Sequence, residues 1–143
     1  MALLFRIFGG PTISFAAPPK TGSKFVRSVL ATCGKLLKDD GIHIPGFHKA
    51  DHELTVTRGG DDWIRSYRVN MASTNVGVPE VDLMQRFGEL QPDAESFHEM
   101  WAMYRTPRTH ILTNTSLNFS LATFLSGILI GHVTGLPPVN VTR

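Results

Sequence analysis

The stretch LNFSLATFLSGILIGHVTGL, residues 117–136, contains no Asp, Glu, Lys or Arg, and within it Gly127, Gly131 and Gly135 recur at intervals of four. Three readings compete for it: the core helix of a soluble domain, a membrane span, or a membrane span that holds a cofactor. A bilayer core of ~30 Å needs roughly 20 apolar residues at about 1.5 Å of rise each, and the stretch meets that length. Pro137 and Pro138 then stop a helix. Asn118, Ser120, Thr123, Ser126 and Thr134 speak for a soluble core. A soluble helix of this length normally carries a charged face, however, and this one has none on any side. The expectation is a transmembrane helix.

Two further features of the span bear on function. Thr123, Gly127, Gly131 and Gly135 form a small-xxx-small ridge, which lets a second helix backbone approach closely inside a membrane. His132 falls about one turn from the end of the span. It is a candidate haem ligand or quinone-site residue, set against a neutral histidine at headgroup level.

Charge divides the 143-residue chain into three zones. Up to Lys38 there is no acid, while Arg6, Lys20, Lys24, Arg27, Lys35 and Lys38 are basic. Both signs mix from Asp39 to Arg108, and Thr109–Thr142 is uncharged. The net charge of +2, with no dense basic run, gives no sign of a nucleic-acid partner. The single cysteine, Cys33, rules out an internal disulfide framework and any multi-cysteine metal site. Arg105 and Arg108 before the span, with only Arg143 after it, place the N-terminal part on the matrix or cytoplasmic side. An acid-free, basic, amphipathic N-terminus is what mitochondrial import favours.

Between residues 21 and 38 an amphipathic helix is expected, with Phe25, Val26, Val29, Leu30, Cys33, Leu36 and Leu37 on its apolar face and Gly41 as its stop. ELTVTRGGDDWIRSYRVN alternates on both sides of Gly59-Gly60 and reads as a β-hairpin over about 54–69. VPEVDLMQRFGEL (78–90) and PDAESFHEMWAMYR (92–105) have helical spacing, the second with Phe97, Met100, Trp101 and Tyr104 as its stripe. Trp101, Tyr104, Arg105 and Arg108 suit a membrane–water interface. His43, His48 and His52 are the only constellation with metal-ligand residue types; their spacing fits a polar loop better than a zinc site. No glycine-rich phosphate loop, Cys–His pair or nucleophile elbow stands out.

These readings give a mainly α chain with one small β-hairpin, N-terminal amphipathic helices and one C-terminal transmembrane helix. Its parts are a basic segment (1–20), a matrix-side helical region (21–108), a span region (109–136) and a short tail (137–143). In organisation the chain resembles the supernumerary single-span subunits of mitochondrial respiratory complexes and of the F-type ATP synthase. The features that carry the resemblance are the acid-free N-terminus, WAMYRTPR before the span and GILIGHVTG within it. It implies a non-catalytic inner-membrane subunit without cofactor, whose partners are other subunits and membrane lipid. The alternatives are a haem- or quinone-binding anchor using His132, and a soluble metal-dependent enzyme using His43, His48 and His52.

Overall fold

The two-residue period of a strand places Leu3, Phe5, Ile7, Ile13 and Phe15 on one face of a strand pair, all of them fully buried, and Leu4 and Ser14 are buried on the other. The computed structural model describes residues 2–18, 20–73 and 94–135. In chain order it has β1 (Leu3–Ile7), β2 (Thr12–Phe15), α1 (Ser23–Cys33), β3 (Gly34–Asp39), β4 (His52–Thr57) and α2 (Gly60–Ser73). After these come α3 (Ala94–Ala102), β5 (Thr109–Thr113), a 3-10 turn at Asn114–Ser116 and α4 (Leu117–Thr134). The helix expected over 78–90 and the tail 137–143 lie outside the described residues.

The strands form one five-stranded mixed sheet in the order β3-β1-β2-β4-β5. β1 is antiparallel to both of its neighbours, whereas β2, β4 and β5 run parallel to one another. Register puts Leu3, Phe5, Ile13, Phe15, Leu54, Val56 and Leu112 on one face. There they pack with Val26 and Leu30 of α1 and with Leu121, Phe124, Leu125 and Ile128 of α4. On the opposite face, Ala2 and Ala16 meet Trp63 of α2, Met100 of α3 and Tyr104. Helices therefore cover both faces of a partly parallel sheet, an α/β architecture.

This corrects the mainly α expectation, and the physical reasons are local. Leu3–Phe15, within the segment expected to be merely basic, is the sheet's own hairpin: the turn through Phe8 and Gly9, both at positive φ, closes with Ile7 N–H donating to Pro11 O at 2.8 Å. The helix expected to reach Lys38 ends at Cys33. From Gly34 on, the chain pairs with β1, so close to it that a Cβ on Gly34 would lie 2.0 Å from the Arg6 carbonyl oxygen. Leu36 and Leu37 consequently sit on an edge strand, 37% and 40% exposed, and not on a buried helix face. The hairpin expected at 54–69 is half strand (β4) and half helix (α2). Asp61 and Asp62 lie in the first turn of α2, where carboxylates favour a helix N-terminus, and Trp63 is fully buried behind them.

The uncharged segment is likewise divided, with Thr109–Thr113 as β5 and α4 beginning only at Leu117. Among the described residues one helix, Asn114–Thr134, is long and apolar enough to cross a bilayer, with mean hydropathy 1.4. Here it lies along the sheet. Burying Leu121, Phe124, Leu125 and Ile128 contributes roughly 1.5–3 kcal/mol each. That sum is comparable with the whole stability of an ordinary domain, about 5–15 kcal/mol. Pulling α4 off the sheet would therefore unfold this face.

Candidate anion site at the carboxyl ends of the parallel strands

The connections leaving two adjacent parallel strands diverge. From β2 the chain passes over one face through α1 to β3, and from β4 it passes over the other through α2 and α3 to β5. In open α/β sheets such a divergence opens a crevice outside the carboxyl ends of the strands, and ligands bind there. A cavity of about 320 Å³ occupies that place, lined by Lys20, Gly22, Ser23, Lys24, His43, Arg58, Ser66 and Asn114.

The loop from β2 into α1 is shaped by its own sequence. Thr21, fully buried, donates its hydroxyl to the Pro18 carbonyl at 2.8 Å. Lys20 has φ +63° and Gly22 φ +90°, both left-handed, so the chain turns sharply into the helix. The carbonyls of this turn are held from the neighbouring strand ends. Arg58, just past β4, donates Nη1–H to Lys20 O at 2.9 Å, and Asn114, just past β5, donates its amide to Thr21 O at 2.7 Å. Three strand ends thus fix one short loop.

What the loop presents is positive. A helix leaves its first N–H groups without intrahelical partners. The α1 terminus has no side-chain cap and no acid in its first turn. Lys20, Lys24 and Arg58 add three cations, Ser23 and Ser66 add hydroxyls, and among the described residues no carboxylate lines the cavity. Arg58 Nε is buried with no partner among the described residues. A buried donor left unpaired costs about 1–3 kcal/mol, and an anion in the cavity could satisfy it. Clustered like charges repel, so an anion would also relieve the apoprotein.

The residues singled out in the sequence go elsewhere, His43 apart. His43 lines the cavity and directs Nδ1 to Ala17 O at 3.0 Å. His48 Nε2 lies 3.0 Å from Ala2 O and 2.8 Å from Asp40 Oδ2. His52 sits on β4 edge-to-face with Phe124, and burial holds its pKa below the ordinary histidine value. The three are not brought together. Next to His52, Asp51 has its pKa lowered by the Thr12 backbone N–H, which donates to it at 2.9 Å.

Tyr104 is fully buried, with its hydroxyl donating to His43 O; Trp101 stacks under the Arg105 guanidinium at 4.3 Å. Arg108 donates to Ala50 O at 3.3 Å. The ring of His132 lies over Gly10, where a Cβ would stand 2.3 Å from it. Thr123, Gly127 and Gly131 run along the flank of α4, partly covered, while Gly135 is the helix stop: φ +73°, with its N–H on Gly131 O at 2.8 Å. Nothing in the sequence marks Lys20, Lys24 and Arg58 as a group, because Arg58 lies far from the other two. The available signal was a strand followed by K-T-G-S-K opening a helix.

No protein-family model, curated protein or solved structure matches the chain.

Proposed function

We propose that this protein binds the phosphate or sulfate group of a small-molecule ester, of the size and charge of a nucleotide or sugar phosphate. One observation carries the reading: a cavity with three cations, no acid among its described lining residues and an uncapped helix N-terminus at the point where the sheet's connections diverge. Its volume, about 320 Å³, is at the small end of ligand pockets. It suits the charged end of such a ligand, with the remainder outside. The reading is of a binding protein.

Isothermal titration with inorganic phosphate, AMP, ADP and glucose 6-phosphate tests it. Saturable binding by at least one of these, weakened tenfold or more in Lys24→Ala/Arg58→Ala, is the expected result. No saturable binding at millimolar ligand, or equal binding by the double variant, would sink the proposal.

A second reading keeps the chain as an accessory subunit of a mitochondrial inner-membrane complex. The outer side of α4 favours it, since Phe119, Ile130 and Val133 are 76%, 59% and 74% exposed. It stands second because the inner side of α4 is occupied by the sheet. Native gel separation of mitochondria in mild detergent decides: a band of several hundred kilodaltons supports it, and a small free species removes it.

A further inference from the structure

Among the described residues that line the cavity, His43 is the one whose charge can change near neutral pH. It lies in the loop between β3 and β4, and three contacts fix it there. The Ala17 N–H donates to Ile42 O at 3.0 Å, the Tyr104 hydroxyl donates to His43 O, and the His43 ring directs Nδ1 to Ala17 O at 3.0 Å. A carbonyl oxygen only accepts, so Nδ1 carries a hydrogen and donates it. A proton gained by the ring therefore goes to Nε2.

The charges around the ring decide when it gains one. His43 is 8% exposed, and Lys20 and Lys24 at the start of α1 and Arg58 after β4 line the cavity with it. No carboxylate is among the described residues of that lining, and Asn114 and the two serines are uncharged. Burial and three cations both oppose a fourth positive charge. An anion among them reverses the sign of the local field and favours the imidazolium. His48, in the same loop and equally buried, differs in that its Nε2 lies 2.8 Å from Asp40 Oδ2, so a carboxylate already stands beside it. At His43 the balancing negative charge has to come from the ligand.

We propose that His43 takes up a proton as the anion enters and holds the ligand as an imidazolium, so that binding tightens as pH falls. The proposal rests on the anion-binding reading above and adds a conditional fourth cation to the three permanent ones. Linkage sets its size: if the anion raises the titration midpoint of the ring by about one pH unit, the charged ring binds the anion about tenfold more tightly than the neutral one.

Histidine-ring NMR on the full chain tests it, with inorganic phosphate, AMP, ADP and glucose 6-phosphate as the probes. The His43 signal, assigned through its backbone, is titrated from about pH 5 to about pH 8.5 without ligand and at saturation. Its midpoint should rise by about one pH unit or more on binding, whereas that of His132, beside Gly10 at the far end of α4, should stay where it is. His43→Asn keeps an amide donor for Ala17 O and removes the titration. By calorimetry with the tightest of the four ligands, wild type should outbind this variant roughly tenfold at about pH 6 and less than about twofold at about pH 8.5. No response to any of the four would remove the anion-binding reading, and this inference with it. Saturable binding with an unmoved His43 midpoint would overturn the inference and leave that reading standing. So would a ratio between wild type and folded His43→Asn that does not change with pH. The wild-type titration decides alone if the variant does not fold.

Discussion

The side-chain amide of Asn114 donates to the Thr21 carbonyl at 2.7 Å, joining residues 93 apart in sequence. It ties the junction of β5 and α4 to the loop that presents the cations, so the site's shape depends on the far end of the chain. Asn114→Ala should cost about 1 kcal/mol of stability and weaken anion binding several-fold. Asn114→Asp should abolish binding, because it sets a carboxylate against both the carbonyl and the ligand. Urea denaturation and titration calorimetry on the two variants separate these effects.

Lys20 combines a charge with a strained backbone at φ +63°. Lys20→Gly should therefore raise stability by about 1 kcal/mol while weakening anion binding, since glycine takes the left-handed conformation freely. Lys20→Ala should weaken binding equally and give no gain. Equal stabilities for the two variants would show that the backbone there is unstrained.

At Gly22 the cost should run the other way. A Cβ would meet Leu117 Cδ2 at 2.8 Å and Asn114 Nδ2 at 3.1 Å, on a residue with φ +90°. Gly22→Ala should destabilise by roughly 1–2 kcal/mol from the backbone alone. The Leu117 methyl is the flexible end of a side chain and can move, so Leu117→Ala should recover little of the loss. A large recovery in denaturation experiments would make the contact, not the dihedral, the cause.

His52 sets a pH dependence. Burial lowers its folded-state pKa below the ordinary histidine value of about 6.5, so as pH falls below that value the unfolded chain takes up a proton before the folded one does. The unfolded state then binds more protons, and stability falls with pH from about 6.5 down to the depressed folded value, where the loss levels off. His52→Phe, which preserves the ring against Phe124, should flatten this slope. Thermal midpoints between pH 7.5 and 5 in wild type and variant measure it, and an unchanged slope would assign the effect to another group.

What could be read in advance followed from local chemistry. The amphipathic start of α1, the helical stripe through Met100 and the apolar character of residues 117–134 are all properties of short windows. What could not be read depended on distant pairing. KLLK at 35–38 fits a helix or a strand equally well, and only its place beside β1 decides for the strand. WIRSYRV alternates like a strand, but two aspartates ahead of it and the burial of Trp63 make it helix. For α4, local composition alone leaves a membrane helix and a sheet-packed helix side by side. Freedom from charge marks a helix that meets apolar surface on every side, and a sheet supplies one of those sides as well as lipid does. For the site, Lys20-Thr21-Gly22-Ser23-Lys24 was visible as a helix start, while Arg58 and Asn114 joined it only through the order of the strands.

The antiparallel strand at the centre of the N-terminal half also bears on how the chain reaches its native state. β1 pairs with β2 across a tight turn and with β3 after one helix, so three strands can zip together within the first 39 residues. β5 must find β4 across a gap of 56 residues, as in the pairing of Thr109 with Glu53. Loop-closure entropy makes that encounter the slower one. Refolding should therefore show an early N-terminal unit and a later arrival of β5, with ligand affinity regained only at the second event, when Asn114 reaches Thr21. Binding would then act as a clock hand for the last step of folding.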